Sequence, residues 1–283
     1  MTPMEIQYGK TRVVFFRLAK RSAPPFAASV TIDVFGERFA AAYTEGNNRE
    51  VVATDTMKNF VYATAADFEG RSLEAYVAYL GRRLLDTYPQ MERIRVTAHE
   101  IPLDEAHADA HGHSDLVFRL TRGDVAVSHA DFERSGDAVT VRDVRCGLEG
   151  LRLLKTTGSS FAQFARDQYT SLPELHDRPL TIRMDVHWRY ADAGAATDAK
   201  RHVPADQVRR AIEHTFHHFN SRSIQHLVHV MGTDLLKDFP HLSEVEFAAE
   251  NHTPDAVAEG KGDVRVFAEP RQTFGKIGLV LRR

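Results

Sequence analysis

Hydrophobic and polar residues alternate along several stretches of the chain, which is the pattern of β-strands with one buried face. In the first half of the chain this alternation covers residues 12–20, 27–44, 92–103 and 115–134. Val, Phe, Ile and Thr, which favour strands, are frequent in the first two stretches. We therefore predict strands over all four.

Two helices are predicted between the second and the third of these strands. The first follows Thr54-Asp55-Thr56, whose side chains can cap a helix N-terminus, and covers residues 57–68. The second covers residues 72–88, with Ser72 as its predicted N-cap. Its apolar residues recur at the spacing of one helix face and are Leu73, Tyr76, Val77, Leu80 and Leu84.

The second half of the chain repeats this order of elements. Strand patterns at 138–157 and 179–191 are followed by helical patterns at 204–219 and 223–238, and then by further strand patterns. The two halves share no residue-level identity, yet the shared order favours an ancient duplication.

This repeated order predicts an α+β protein with two domains. The predicted domains are residues 1–136 and 137–283. Polar segments rich in Ala and Gly are predicted to be loops at 104–114, 192–203 and 253–262.

Composition is typical of a globular protein. The chain has 283 residues, of which 43% are hydrophobic and 27% charged, so it can bury a sizeable core. A net charge of -3 argues against a broad nucleic-acid-binding surface. No apolar run is long enough to span a membrane and no secretory signal is visible, so we expect neither nucleic acid nor membrane as a partner. The one cysteine, Cys146, is expected to be an inert core residue.

Histidine clusters are candidate metal sites. His107, His111 and His113 lie in one acidic segment, and imidazole and carboxylate are zinc ligands. Their spacing matches neither a zinc finger nor HExxH, so a solvated polar loop is the ordinary explanation. His214 and His218 share a face of a predicted helix, which is more typical of a plain helix surface.

Several separated segments occur in an order that is more specific than any one of them. They are Tyr8-Gly9-Lys10, VVATDTMKN at 51–59, GLEGLRLLKTTGSSF at 147–161, and RDQYT at 166–170 followed by Asp177-Arg178. Together they resemble urate oxidases (uricases), which oxidise uric acid without a cofactor. The likeness runs over nearly the whole chain, as far as the region of Asn251.

This resemblance implies the tunnelling fold (T-fold), in which tandem domains are antiparallel sheets with paired helices on one face. It also implies a homotetramer with active sites at subunit interfaces. The implied substrates are urate and dioxygen, with no metal and no other cofactor. The sequence ends in Leu281-Arg282-Arg283 without a peroxisomal signal, which predicts a cytoplasmic enzyme.

The resemblance also assigns a substrate site, residue by residue. Arg178 would grip the urate anion through its planar fork of donors, and Phe161 would stack on the purine face. Gln225 would offer its amide to the opposite purine edge, and Ile224 would supply a backbone contact. The ordinary alternatives are an ion pair with Asp177 for Arg178, core packing for Phe161, and a helix-terminal position for Gln225.

Lys10 and Thr54 are the implied catalytic pair. A lysine with a depressed pKa can act as a base, and a threonine hydroxyl can relay the proton. Asp55 would contribute mainly its backbone N–H, at a helix start where such donors are unsatisfied. These three residues would come from one subunit, and the residues that grip urate from its neighbour.

One position departs from the family pattern. Asn251 matches and would face the oxygen or water site. The family commonly has Asn-Lys-His here, whereas this chain has Asn251-His252-Thr253, which puts His252 one place before the family histidine. His252 is counted with the catalytic candidates, and the sequence leaves open whether His252 or Thr253 completes the proton relay.

Two other functions remain possible from the sequence. One is a metal-dependent purine or pterin hydrolase on the same fold, using the three histidines of the 104–114 segment. The other is a purine-binding module that kept Arg178 and Gln225 but lost turnover. The presence of the implied catalytic pair counts against that module.

Overall fold

A computed structural model describes residues 4–18, 25–107, 113–119, 123–252, 254, 256–259, 265–267 and 273–283. The chain forms two compact units. The first consists of Met1–Cys146 and Asp192–His202, and the second of Gly147–Ala191 and Val203–Arg283. The boundary predicted between residues 136 and 137 separates the two duplicated halves of the sequence, and it stays a prediction.

Along the chain, the helices of the first unit follow its first two sheet strands and precede the next sheet strands. Its elements are β1 (Gln7–Arg17), β2 (Phe26–Phe35), α1 (Ala40–Thr44), α2 (Thr54–Asp67), α3 (Leu73–Thr87), β3 (Arg93–Glu100), β4 (Asp104–His107), β5 (His113–Arg119), β6 (Val125–Ser135) and the first part of β7 (Ala138–Lys155). The sheet order is β1-β2-β3-β6-β7, with antiparallel pairing from β1 to β6, while β4 and β5 form a separate hairpin.

The helices α2 and α3 bury one face of this sheet. In β2, Val30, Ile32 and Val34 are fully buried, whereas the residues between them are only half-buried. The five apolar residues predicted for one face of α3 are all buried, and Ser72 caps this helix by accepting the Ala75 N–H at 3.1 Å. The predicted second helix is therefore confirmed.

The second unit has the same arrangement. Its elements are the remainder of β7, β8 (Leu180–Tyr190), α4 (Ala205–His218), α5 (Ile224–Asp238), β9 (Leu242–Asn251), β10 (Ala256–Glu259), β11 (Arg265–Phe267) and β12 (Gly275–Arg282). The sheet order is β7-β8-β9-β12. Every second residue of β8 is buried, and α5 contacts β9 and β12. The predicted order of main strands and paired helices is thus confirmed in both halves, but the single strand predicted over 115–134 is wrong, because this stretch contains two strands, β5 and β6, which pair in different sheets.

The prediction of a single strand over 27–44 is wrong in its second half. The strand ends at Phe35, Gly36 has φ 145°, and a 3-10 turn at Glu37–Phe39 leads into α1. The residues 40–42 are all alanine, which has the highest helix propensity, so local propensity overrides the apolar pattern there.

Other boundaries also differ from the prediction. The N-cap of α2 is Ala53, and Thr54 is already the first helical residue. The predicted loops at 104–114 and 253–262 contain β4, the start of β5 and β10, and the predicted loop at 192–203 contains a 3-10 turn at Ala193–Thr197. These elements are too short for a periodic signal.

Cys146 is fully buried in β7, which confirms the prediction of a core residue. Burial raises the pKa of its thiol, and the nearby carboxylate of Glu74 raises that pKa further. Among the described residues, no helix combines the length and the apolar character that crossing a bilayer requires.

Strand β1 lies at the edge of its sheet and carries apolar side chains on its outward face. Val14 is 53% exposed, Phe16 72% and Leu18, just after the strand, 65%. Exposed apolar edge strands promote association with further strands. By contrast, the uncovered face of the inner strands carries ion pairs, such as the two-pronged pair of Arg95 with Asp131.

Gly81 of α3 is predicted to be intolerant of alanine. In a free helix alanine would stabilise by roughly 1 kcal/mol relative to glycine. Here the new methyl carbon would lie 2.3 Å from Cε2 of the fully buried Phe132, and overpacking costs roughly 1–3 kcal/mol. Gly81→Ala should therefore lower the free energy of unfolding, measured by urea unfolding at fixed protein concentration.

A double variant separates this contact from other causes. Phe132→Leu makes room for the methyl group, so Gly81→Ala should cost less in that background than in the wild type. A Gly81→Ala protein as stable as the wild type would contradict the tight packing of α3 on β6.

Candidate active site

Tyr8 connects β1 to the segment that starts α2. Its hydroxyl oxygen accepts the backbone N–H of Val52 at 3.2 Å, and its ring packs edge-on against Phe39 at 5.0 Å. Burial raises the pKa of Tyr8, so the hydroxyl stays protonated. This contact sets the position of α2 relative to the strand that carries Lys10.

Lys10 lies on β1 at an irregular point of the strand. The preceding Gly9 is needed because a Cβ atom there would lie 1.9 Å from the carbonyl oxygen of Ile32. The register shifts directly after Lys10, and Arg12 has a left-handed φ of 57°. Such a bulge re-aims side chains. The Lys10 side chain is half-buried.

The N-terminus of α2 holds Thr54 and Asp55. The first ladder hydrogen bond of the helix runs from Met57 N–H to Ala53 O at 3.1 Å, so the N–H groups of residues 54–56 lie ahead of the ladder. The Asp55 carboxylate accepts from Lys58 Nζ at 2.5 Å and from Asn59 at 3.2 Å. Lys58 is the main reason that the pKa of Asp55 is lowered, and the charge of Lys10 contributes as well. Lys10 therefore lies within electrostatic reach of this helix start.

Arg178 is one of two buried arginines among the described residues of the second unit, and the other is Arg209 on α4. It is 7% exposed, and burial lowers the pKa of its guanidinium. Its backbone N–H donates to Ser159 O at 2.9 Å. Ser159 pairs in turn with Ser221, and the N–H of Ser160 donates to Ser221 O at 2.8 Å. A buried guanidinium favours an anionic ligand, because an anion offsets its lost hydration.

Phe161 lies beside Arg178. The guanidinium carbon of Arg178 is 5.6 Å from the centroid of the Phe161 ring. The Phe161 backbone is fixed by two hydrogen bonds with Leu175, of 2.7 and 2.9 Å. At this separation, one planar anion can lie against the ring while its edge meets the guanidinium.

The start of α5 belongs to the same cluster. Two residues after Ser221, Ser223 caps the helix by accepting the His226 N–H at 3.1 Å. The first two helical residues are Ile224, which is buried, and Gln225, which is exposed. The pairing of Ser159 with Ser221 thus brings Arg178, Phe161 and this helix start into one region of the second unit.

Asp177 holds the turn before Ser159. Its carboxylate accepts from Thr157 Oγ1 and from Gly158 N–H, both at 2.7 Å. These bonds, that of Thr157 first, lower the pKa of Asp177. Gly158 has φ 78°, the left-handed region that favours glycine. Asp177 therefore builds the loop that positions its neighbour Arg178.

Asn251 is the last residue of β9, and His252 follows directly after it with its side chain on the opposite side. Asn251 follows the alternation of Phe247 and Ala249, which are buried on the helix-facing side. His252 lies on the other side, where its Nε2 atom is 3.0 Å from Glu250 Oε2. The structure thus ties the His252 imidazole to a carboxylate on its own strand.

Glu250 also accepts from Arg183 Nη1 at 3.0 Å. The hydrogen bond with His252 and the charge of Arg183 lower the pKa of Glu250. The His252 ring contacts Phe274 at 4.8 Å. Thr253, the other candidate for the relay, is outside the described residues.

The structure describes the two histidine clusters only in part. The backbones of His107 and His113 are opposite each other in the β4–β5 hairpin, while His111 is outside the described residues. Within the described part of the chain, no three metal-ligating side chains converge on one point. On α4, the rings of His214 and His218 are 4.5 Å apart, as their helical spacing predicts.

Sequence reasoning missed the residues that hold the site together. Ser159 and Ser221 are 62 positions apart, and only the tertiary fold pairs them. Tyr8 and Asp177 stand in the motifs Tyr8-Gly9-Lys10 and Asp177-Arg178 that carry the family resemblance, and those motifs are the signal that points to them.

The sequence profile of the Uricase family matches residues 6–122 and 144–278 of this chain. The chain belongs to the uricase family. The resemblance predicted from the separated motifs is confirmed by this match.

Curated relatives extend this result. A uricase from Halalkalicoccus jeotgali is 38% identical over 256 residues, which are 88% of this chain and 84% of that protein. The bifunctional uric acid degradation protein PucL of Bacillus subtilis is 38% identical over 266 residues, or 91% of this chain. The chain spans only about half the length of this protein and of a bifunctional protein from Bacillus sp., with 53% and 51% of their residues covered.

Solved structures confirm the predicted fold class. A urate oxidase from Bacillus sp. TB-90 superposes with a TM-score of 0.92 at 32% identity, covering 98% of this chain and 100% of that one. A uricase from Arthrobacter globiformis gives a TM-score of 0.84 at 27% identity, covering 100% and 95%. Urate oxidases have the T-fold, so this uricase-family chain is an α+β T-fold protein.

The Asp177 turn predicts a pH-dependent contribution to stability. Because its folded pKa lies below the ordinary 3.8, the carboxylate stabilises the fold above that value, and the contribution is lost as the pH falls through the folded pKa. Asp177→Asn should therefore lower Tm at about pH 6, and this difference should narrow below about pH 4. Thermal unfolding across this range measures it.

Thr157→Val is the matched variant, since it removes the strongest partner of Asp177 and keeps the carboxylate. Its Tm difference from the wild type should narrow less at low pH than that of Asp177→Asn. A Tm difference that stays constant with pH in both variants would contradict the assigned role of this turn.

Proposed function

We propose that this protein is a urate oxidase. Urate, dioxygen and water give 5-hydroxyisourate and hydrogen peroxide: two electrons pass from urate to dioxygen, and water supplies the new hydroxyl group. The observation that carries the proposal is the buried guanidinium of Arg178 beside the ring of Phe161, in a chain of the uricase family. The proposed activity is a step in the degradation of purines, and we propose that the protein acts in the cytoplasm.

Urate binding follows from this cluster. Arg178 forms two parallel hydrogen bonds with the edge of the urate anion, and Phe161 stacks on its ring face. Gln225 meets the opposite edge with its amide, and Ile224 supplies a backbone contact. Support comes from the shared position of these residues at the Ser159–Ser221 pairing and the start of α5.

Proton removal is assigned to Lys10 and Thr54. Lys10 acts as the base, and the Thr54 hydroxyl relays the proton from urate. The backbone N–H of Asp55 lies ahead of the hydrogen-bond ladder of α2, where it can donate to the substrate. Deprotonated urate is electron-rich enough to reduce dioxygen itself, so the proposed reaction needs no metal and no other cofactor.

The oxygen side of the site is assigned to Asn251. It lies on the helix-facing side of β9, and its amide can bind dioxygen or water. His252 can join the relay through Nδ1, while Nε2 lies 3.0 Å from Glu250 Oε2, which orients the ring. The proposal therefore keeps His252 as the relay residue, with Thr253 as the alternative.

The assembly proposed for this enzyme is a homotetramer with composite active sites. One subunit contributes Lys10, Thr54 and Asp55, and its neighbour contributes the urate-binding residues around Arg178. The exposed apolar residues on the edge strand β1 support assembly, because a contact with another copy would remove their apolar surface from water.

The first functional prediction is oxidation of urate after exhaustive chelation. The purified protein should consume urate and dioxygen and release peroxide in equal amounts, because the substrate itself reduces dioxygen. Ultraviolet absorbance, an oxygen electrode and a peroxide assay measure the three quantities together. The metal-dependent hydrolase would be supported instead if chelation abolished urate consumption, zinc restored it, and no dioxygen was consumed.

The second functional prediction tests the composite site. Lys10→Met should lower kcat strongly, and Arg178→Gln should raise KM strongly, so that each variant alone is inactive at low urate. The two variants, unfolded and refolded together in equal amounts, should recover about a quarter of the wild-type sites. Each site needs an intact Lys10 from one subunit and an intact Arg178 from its neighbour, and about half of the chains carry each of these.

Separately refolded variants that are mixed without dissociation are the control, and they should stay inactive. Co-refolded variants with no recovered activity would place both residues in one subunit's site and contradict the composite arrangement.

A further inference from the structure

Phe164 stacks directly on Phe161. The two ring centroids are 4.9 Å apart and the ring planes differ by 12°, which is parallel stacking. Both rings are half-buried. One face of Phe161 is therefore covered by another ring of its own chain, which leaves the opposite face as the one on which a planar ligand would stack, next to the Arg178 guanidinium.

The backbone between the two rings has an uncommon conformation. Gln163 has φ 58°, the left-handed region, which is costly for a residue other than glycine. Phe161 and Phe164 belong to no helix, so this turn at Gln163 is what folds the second ring back onto the first. Such strain persists only where surrounding contacts fix it.

Arg166 supplies one of those contacts. Its guanidinium carbon lies 5.3 Å from the centroid of the Phe164 ring, and its Nη1 atom donates to Leu172 O at 3.0 Å. The next residue, Asp167, closes a turn with Thr170 through hydrogen bonds of 2.9 to 3.1 Å. Phe164 is thus enclosed between a cation and the ring of Phe161.

We propose that Phe164 is a positioning residue for urate, holding the Phe161 ring in the orientation that a purine stacks on. The inference rests on the proposed function and adds that this orientation depends on Phe164, the left-handed Gln163 and Arg166. Without Phe164, the Phe161 ring is fixed by its backbone alone and can change rotamer. Purine binding then weakens, while the proton relay at Lys10 and Thr54 is untouched.

Steady-state kinetics of Phe164→Leu test this role. Aromatic pairs contribute enough to predict a KM for urate about 3- to 10-fold higher, with kcat within about twofold of the wild type. The inhibition constant of xanthine, a planar purine, should rise by a similar factor. Phe164→Tyr keeps an aromatic ring and should restore both constants.

Phe60→Leu is the matched control for loss of a half-buried ring, because Phe60 packs against the ring of Tyr88 in the first unit, with the ring planes tilted by 58°. It should leave KM near that of the wild type. If Phe164→Leu changes kcat or thermal stability but neither KM nor the xanthine constant, Phe164 is merely structural and the inference is wrong.

The turn offers a second route that keeps both rings. Gln163→Val puts a β-branched residue at a positive φ, whereas Gln163→Gly accepts that conformation. The valine variant should have a KM several-fold above that of the glycine variant, and equal values would overturn the inference even if Phe164→Leu failed to fold. A wild-type protein that leaves urate unchanged would instead refute the proposed function itself.

Discussion

The strands of this protein bury only one face of the sheet under helices, and the placement of the candidate residues on strands and at helix starts follows from that constraint. In the first unit α2 and α3 cover the face of Val30, Ile32 and Val34. The other face carries paired charges, which stay solvated or neutralise each other. The helices must begin near the strand edges, so their N-terminal N–H groups come close to strand residues such as Lys10.

The same constraint decides how the sequence could be interpreted. Strands with one buried face alternate with period two, and β8 was predicted almost to the residue because its alternation is unbroken. The helix α3 was equally clear from its apolar face and from Ser72. Residues 36–44 were misassigned because an apolar stretch carries no period, and the helix propensity of three alanines decides the outcome there.

The candidate site was only partly accessible from the sequence. The family likeness names Arg178, Phe161 and Gln225, but no local pattern shows that Ser159 pairs with Ser221 to bring them together. Nor does any pattern reveal the positive φ of Gln163, since that conformation is set by contacts of the folded chain. Side-chain direction at Asn251 and His252 needed the register of β9, where adjacent residues face opposite sides.

The apolar outer row of β1 has a consequence for how the protein is made. Among the described strands, β1 pairs along one edge only, with β2, and its other edge is open. Until another polypeptide covers Val14 and Phe16, each newly folded chain exposes an apolar strand to which unfolded chains can bind. Slow synthesis at low temperature, with chaperones in excess, should thus give more native protein than rapid overproduction.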